Sequence, residues 1–288
     1  MTTHQTMVRH FIGASGNQLV ADQEGPLDGS PVLLLHGGGQ TRHSWARARH
    51  ALAQSGYLAI SVDARGHGDS EWMADGDYQL ESQVGDLKAI IATLKHKPAL
   101  VGASMGGVNS LIACGEQPNL AAALIMVDVT PRLEPEGVER IRDFMLGKPE
   151  GFSSLEEASQ AVSAYNSTHS GSKSTAGLRK NLRQGADGRW HWHWDPKFMQ
   201  GDHKAKVAHI SQRMLEAARH ITIPTLLIRG QQSDVVSPAG VAEMCKCIPA
   251  MEYVDVQGAG HMVAGDRNDV FNTAVLEFLA QHHPSTGA

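Results

Sequence analysis

Short apolar runs recur along the first half of the chain, each bounded by glycine or polar residues. Examples are Val32–Leu35, Leu58–Val62 and the predicted strand Leu124–Val129. Continuous apolar runs of this length are typical of strands that are buried on both faces of a parallel sheet. Segments with helical spacing, Trp45–Ser55 and Gln83–Leu94, lie between the runs. The alternation predicts an α/β protein with a mostly parallel sheet and helices on both faces.

The strand pattern stops at about Pro131 and resumes at Ile223. The long interval between these points is rich in segments with helical spacing and charged faces. This change predicts a core formed by residues 1–131 and 221–288. Residues 132–220 are then an inserted, mostly helical segment, which precedes the strand that carries the candidate acid described below.

Composition narrows the class of protein. The chain has 288 residues, of which 41% are hydrophobic, enough to fill one large core with an insertion. Its formal net charge of −5, without any run of Lys and Arg, argues against a nucleic-acid partner. No signal peptide and no apolar segment of membrane-spanning length is visible, so we expect a cytoplasmic protein that has no membrane partner. Three cysteines do not suggest a disulfide framework.

The segment Gly102–Gly107, Gly-Ala-Ser-Met-Gly-Gly, directly follows an apolar run that ends at Val101. A serine flanked by small residues at the end of a strand suits a sharp strand-to-helix turn, which exposes the hydroxyl above the sheet. Ser104 is therefore the candidate nucleophile. The alternative is a glycine-rich loop that only reverses the chain direction.

A nucleophilic serine needs a histidine base and a carboxylate that orients it. In a sheet of this kind the acid and then the histidine follow the serine along the chain. Asp234 follows the apolar segment Ile223–Gly230, and His261 follows the alternating segment Tyr253–Val256. We therefore predict Ser104, Asp234 and His261 as the catalytic residues.

Other carboxylates are alternatives to Asp234. Asp128 also lies at the end of a predicted strand, Leu124–Val129, and is the second choice. Asp255 lies within a predicted strand, and Asp266 lies beyond His261, so both are weaker candidates.

A glycine-rich loop follows the first buried strand. It reads His36-Gly37-Gly38-Gly39, and its glycines allow backbone N–H groups to approach a ligand closely. We expect the N–H groups of Gly38 and Met105 to form an oxyanion hole, with His36, Gly37 and Gly39 as the supporting loop. A phosphate-binding loop is disfavoured because no Lys-Ser or Lys-Thr follows.

The inserted segment contains an alternation of aromatic residues, Trp190-His191-Trp192-His193-Trp194. In an extended segment the tryptophans share one face and the histidines share the other. The tryptophans either line the substrate site or anchor the inserted segment onto the core, and we favour anchoring, with at most one of them near a ligand. A zinc site on the two histidines has no convincing further ligand, so we predict no metal.

These residues together predict nucleophilic catalysis through an acyl-enzyme, without a metal or an organic cofactor. The expected partner is a small-molecule ester or lactone. Val235 and Met262, which follow the acid and the base along the chain, complete the candidate substrate contacts.

The combined motifs resemble the α/β-hydrolase superfamily. They are His36–Gly39, Asp63–Ser70, the turn at Ser104, Asp234 and Gly260-His261. The resemblance extends from about Pro31 to Leu279. It implies that Asp63–Ser70 is a structural turn after a strand and not a catalytic element. It also implies that the inserted residues 132–220 form a lid over the active site.

Within the superfamily the chain resembles the cofactor-free esterase, lactonase and haloperoxidase-like branch. Met1–Gln18 and Trp190–Phe198 are similar to the serine-dependent macrolide esterases. That resemblance implies hydrolytic ring opening of tylosin-type macrolide antibiotics, and hence antibiotic resistance. The alternatives are a general carboxylesterase or enol-lactonase, a haloperoxidase-like perhydrolase of small metabolites, and a ligand receptor that retains the hydrolase triad.

Overall fold

The computed structural model describes residues 5–165, 178–261, 263 and 268–285. Its strands are β1 (Met7–Ile12), β2 (Gln18–Glu24), β3 (Pro31–Leu35), β4 (Leu58–Val62), β5 (Ala99–Ala103), β6 (Ala123–Val127), β7 (Leu182–Gln184), β8 (Trp190–Trp192), β9 (Thr225–Gly230) and β10 (Glu252–Val256). Its α-helices are α1 (Ala46–Gln54), α2 (Leu80–Ala92), α3 (Met105–Glu116), α4 (Pro135–Leu146), α5 (Leu155–Tyr165), α6 (His203–Ala218), α7 (Pro238–Cys247) and α8 (Asn268–His282).

The main sheet has eight strands in the order β1-β2-β4-β3-β5-β6-β9-β10. β1 pairs with β2 and β2 with β4 in antiparallel fashion, whereas the pairs from β4 to β10 are parallel. This arrangement confirms the α/β-hydrolase fold expected from the sequence. The carboxyl ends of β3, β5, β6, β9 and β10 consequently lie along one edge, where the loops that carry the candidate site residues begin.

Successive residues of the buried strands belong to opposite faces of the sheet. Leu33 lies in the core cluster that includes residues of α2 and α3. Val32 and Leu34 lie in the other cluster, together with residues of α1 and α8. Both clusters are apolar, so a strand such as β3 has apolar residues at every position.

The segment between β6 and β9 contains α4, α5, the β7–β8 hairpin and α6. A small separate core, including Phe152 and Ala158, holds the middle of this segment together. The second half of α6 instead packs onto the main core through Met214 and Ala218. Gly115 allows α3 to approach α6 closely, because a Cβ atom there would lie 2.4 Å from the carbonyl oxygen of Ala217.

In the ranges that the structure describes, no helix has both the length and the apolar character needed to cross a membrane. Cys114, Cys245 and Cys247 are free thiols.

Candidate active site

Ser104 occupies a strained turn between β5 and α3. Its φ of 45° and ψ of −114° lie in a region that residues with a side chain rarely adopt. The turn is tight enough that a Cβ atom on Gly102 would lie 2.4 Å from the carbonyl oxygen of Gly106. A Cβ atom on Gly106 would lie 2.3 Å from the carbonyl oxygen of Leu35. Glycine at both positions therefore permits the sharp turn that the sequence predicted.

Backbone hydrogen bonds fix this turn to its neighbours. The Ser104 N–H donates to the Val127 carbonyl at 3.1 Å, and the Gly106 N–H donates to the His36 carbonyl at 3.1 Å. The candidate nucleophile is thus tied to the end of β6 and to the glycine-rich loop after β3. A Cβ atom on Gly37 would lie 3.3 Å from the Ser104 Cβ, so this loop passes directly beside the serine.

The two backbone groups predicted to bind an oxyanion are both free to do so. Gly38 and Met105 line the same cavity as Ser104. Within the described part of the chain, neither N–H donates to another protein group. Met105 is the first residue of α3, where the helix itself offers no acceptor for the N–H.

His261 is paired with Asp128. Its Nδ1–H donates to Asp128 Oδ2 at 2.6 Å, and the Asp128 side chain is completely buried. The same carboxylate accepts the Gly230 N–H at 3.0 Å and the Ser233 hydroxyl at 2.5 Å. These bonds orient the carboxylate, which in turn fixes the imidazole in the tautomer that leaves Nε2 unprotonated.

The expectation that Asp234 orients His261 is wrong. The Asp234 carboxylate lies 2.6 Å from a guanidinium nitrogen of Arg140 on α4, and its side chain is 36% exposed. After β9 the chain turns, with the Ser233 N–H donating to the Gly230 carbonyl at 2.9 Å. This turn brings Ser233 to Asp128 and leaves Asp234 beside α4. The sequence signal for Asp128 was its position immediately after a buried strand.

His36, a member of the supporting loop, is a buried neutral side chain. Its Nδ1–H donates to the Gly37 carbonyl at 2.8 Å, and its Nε2 accepts the Ala64 N–H at 3.0 Å. Burial lowers the pKa of His36 below its usual value. Because one ring nitrogen must accept, the neutral tautomer is the form that holds the loop.

Gly39, with a φ of 71°, is held by two histidines. Its N–H donates to His67 Nε2 at 3.2 Å, and its carbonyl accepts the His193 Nε2–H at 3.3 Å. His193 Nδ1 also accepts the Gly68 N–H at 2.8 Å. Burial lowers the pKa of His67 well below its usual value and that of His193 to about 3. This role of His193 was not predicted from the sequence, because the contact joins residues that are 154 positions apart.

The Asp63–Ser70 turn is held by buried ion pairs and backbone contacts. Asp63 accepts the Arg42 N–H at 2.6 Å and the Asp69 N–H at 3.0 Å. Arg65 is paired with Asp86 at 2.6 Å. These contacts are those of a structural turn, as the resemblance implied.

A cavity of about 740 Å³ lies at the candidate site and is lined by Ser104, Asp128 and His261. Most of its remaining wall is apolar and comes from the segment between β6 and β9, including Val138, Ile141, Phe144, Met145, Val162, Val207 and Ile210. A site of this size and character accommodates a bulky, largely apolar small molecule.

The predicted substrate contacts divide into three groups. Trp192 and Val235 line the cavity. Trp190 packs against the small core of the inserted segment, and Trp194, 3% exposed, packs beside Gly39, which is the anchoring arrangement that we favoured for the tryptophans. Met262 lies outside the described residues.

Comparison with known proteins agrees with this architecture. A family model described as alpha/beta hydrolase fold matches residues 30–267. The chain is 31% identical over 248 residues to a 3-hydroxybutyrate-oligomer hydrolase of Cupriavidus necator, covering 82% of this chain and 84% of the relative. It is 28% identical to a 2-(acetamidomethylene)succinate hydrolase of Mesorhizobium japonicum, covering 77% of this chain and 78% of that protein.

Solved structures show the same fold. The crystal structure of an E-2-(acetamidomethylene)succinate hydrolase has a TM-score of 0.82 and 23% identity, covering 96% of this chain and 99% of that one. The family match and the relatives together identify the class of protein. The chain belongs to the alpha/beta hydrolase fold family and is a hydrolase.

Proposed function

We propose that this hydrolase is a serine esterase that cleaves a carboxylic ester or lactone through an acyl-enzyme. The observation that carries the proposal is that one cavity is lined by Ser104, the N–H donors of Gly38 and Met105, and the His261–Asp128 pair. Asp128 takes the role that was predicted for Asp234, because Asp128 is the carboxylate bonded to His261.

The proposed reaction begins when His261 Nε2 takes the proton of Ser104 Oγ. The oxygen forms a bond with the substrate carbonyl carbon, and the carbonyl electron pair moves onto its oxygen. The N–H groups of Gly38 and Met105 stabilise that oxyanion, while Asp128 stabilises the imidazolium. Collapse of the intermediate breaks the ester bond, and the leaving alkoxide takes the proton from His261.

Deacylation repeats these steps with water as the nucleophile. His261 removes a proton from the water, the hydroxide adds to the acyl carbon, and Ser104 leaves with the proton. With a lactone both products remain in one molecule, so the net change is addition of one water. These steps require neither a metal nor an organic cofactor.

We further propose a macrolactone of the tylosin type as the substrate, with residues 132–220 acting as the lid. The resemblance of Met1–Gln18 and Trp190–Phe198 to macrolide esterases supports this choice. The wide apolar cavity supports it as well, since a macrolide has a large hydrocarbon face. The relatives named above support the hydrolase class and do not distinguish among esters. A cytoplasmic location remains a prediction.

Mass spectrometry of tylosin incubated with the protein and with a Ser104→Ala variant tests both the serine esterase mechanism and the macrolactone substrate. A product heavier by one water, formed only with Ser104 present, supports macrolactone hydrolysis. If the antibiotic stays unchanged while the same protein hydrolyses 4-nitrophenyl butyrate, the macrolide is excluded as a substrate and the esterase proposal stands. Equal hydrolysis of the butyrate ester by both proteins contradicts the serine mechanism.

A further inference from the structure

Ser233 lies in the loop after β9, and its hydroxyl reaches the buried carboxylate of Asp128. Ser233 Oγ is 2.5 Å from Asp128 Oδ2. The same oxygen accepts the His261 Nδ1–H at 2.6 Å. One carboxylate oxygen is therefore shared between the candidate catalytic histidine and this serine.

The direction of the Ser233 hydroxyl hydrogen follows from the other contacts of Oγ. The backbone N–H groups of Val235 and Val236 donate to Oγ at 3.2 Å and 3.1 Å. These two bonds occupy both lone pairs of the hydroxyl oxygen. The hydrogen is left for Asp128, because an ionised carboxylate can only accept. A distance of 2.5 Å between the two oxygens is typical of such a charge-assisted bond.

The inserted segment holds this loop in place. The N–H of Glu134, directly before α4, donates to the Val235 carbonyl at 2.9 Å. A Cβ atom on Gly137 would lie 2.3 Å from the carbonyl oxygen of Asp234, so α4 and the loop are in direct contact. The position of the serine hydroxyl is thus fixed from two sides, by β9 and by α4.

The contacts of Ser233 indicate an action through Asp128. Within the ranges that the structure describes, Ser233 is not one of the residues that line the cavity. The Asp128 side chain is completely buried, and a buried charge is stable only where hydrogen-bond donors replace the lost water. The Ser233 hydroxyl provides such a donor on the oxygen that faces His261.

We propose that Ser233 is a positioning residue, which holds Asp128 ionised and correctly oriented while His261 carries the proton of Ser104. This inference rests on the proposed serine esterase function and adds a residue to its machinery. The imidazolium needs a charged carboxylate in a fixed position, and the Ser233 hydroxyl stabilises that charge without contact with the substrate.

Steady-state kinetics of three variants on 4-nitrophenyl butyrate test this role. Ser233→Ala should lower kcat by about tenfold and leave KM within about twofold, because it removes a hydrogen bond to a buried charge outside the cavity. Ser233→Thr keeps a hydroxyl and should recover part of the loss. Ser237→Ala is the matched control and should keep kcat within about twofold, since that hydroxyl accepts the Gly240 N–H at the start of α7.

A double-mutant cycle distinguishes an effect on Asp128 from a general disturbance of the loop. In Asp128→Ala no carboxylate remains, so adding Ser233→Ala should change kcat by less than about twofold. A tenfold loss that persists in the Asp128→Ala protein overturns the proposal. If Ser233→Ala does not fold, Ser233→Cys, whose thiol is a weaker donor, is judged by the same cycle.

Two further outcomes overturn the proposal. One is a folded Ser233→Ala protein with the kcat of the unmodified protein, and the other is a Ser233→Thr protein that is no more active than Ser233→Ala. Both leave the esterase proposal intact, because hydrolysis of the butyrate ester still depends on Ser104. Failure of the esterase proposal has a different signature, namely butyrate hydrolysis that is equal in Ser104→Ala and the unmodified protein.

Discussion

The His261 imidazole reaches Asp128 across the end of the intervening strand β9, with Nδ1 and Oδ2 2.6 Å apart. Gly230, the last residue of β9, makes this crossing possible. A Cβ atom there would lie 2.1 Å from the carbonyl oxygen of Gly260, directly before the histidine. The Gly230 N–H also donates to Asp128 at 3.0 Å, so one residue both admits the histidine loop and orients the acid.

Asp128→Asn should lower kcat for 4-nitrophenyl butyrate by on the order of 10³ to 10⁴, because an amide no longer holds the productive imidazole tautomer. Asp234→Asn is the matched control and should change kcat by less than about threefold, since it removes only a half-exposed ion pair with Arg140. Steady-state kinetics of the two purified variants distinguish the carboxylates. The reverse order of effects would restore Asp234 as the acid.

His193→Ala should lower kcat by about tenfold or more, with a smaller change in KM, because Gly39 loses a contact that positions the oxyanion loop. His193→Gln should recover part of the activity, since its amide can donate to the Gly39 carbonyl. His191→Ala removes the exposed neighbouring histidine and serves as the control. Equal kinetics for His193→Ala and His191→Ala would show that the contact has no role in turnover.

Gly230→Ala should reduce kcat by on the order of 100-fold while the fold is retained, because the added methyl group displaces the histidine loop. Circular dichroism establishes folding, and kinetics on 4-nitrophenyl butyrate give the loss. A fully active, folded Gly230→Ala protein would mean that the loop reaches Asp128 by another path.

The free energy of unfolding should fall as the pH decreases from about 6.5 to 5. Burial lowers the pKa values of His36, His67 and His193 in the folded protein, that of His193 to about 3. Below about pH 6.5 the unfolded chain binds more protons at these positions than the folded chain does, so acid favours unfolding. For His193 the contribution is up to about 1.4 kcal/mol per pH unit in this range.

Urea denaturation at pH 7, 6 and 5 measures this dependence. The slope should become shallower by about one proton in His193→Gln. Identical slopes in the unmodified protein and His193→Gln would show that His193 is protonated in the folded state.

Local chemistry made much of the site predictable. Ser104 and its flanking glycines form a turn whose geometry depends on neighbours in the sequence, and the apolar runs identified β3, β4 and β6. The sequence around Asp128 and Asp234 could not show which of the two carboxylates orients His261. Both follow strands that are adjacent in the sheet. Two tertiary contacts distinguish them: the His261 loop crosses over Gly230 to reach Asp128, and Asp234 is paired with Arg140.

The side-chain contacts of the inserted segment, residues 132–220, were less predictable, because they too join residues that are distant in the sequence. Alternation in Trp190–Trp194 indicated which side chains share a face but not what each face contacts. Trp192 lines the cavity, whereas Trp190 packs in the small core and Trp194 beside the oxyanion loop. Such contacts depend on how the hairpin meets the sheet edge, which no short-range pattern specifies.

The most direct test of the account is peptide mass spectrometry after inactivation by 4-nitrophenyl diethyl phosphate, which phosphorylates an activated serine. We predict one diethylphosphoryl group per chain on the Ser104 peptide, a parallel loss of esterase activity, and much slower labelling in Asp128→Asn. Labelling of another residue with the loss of activity, or undiminished hydrolysis by Ser104→Ala, would contradict the assignment of Ser104 as the nucleophile.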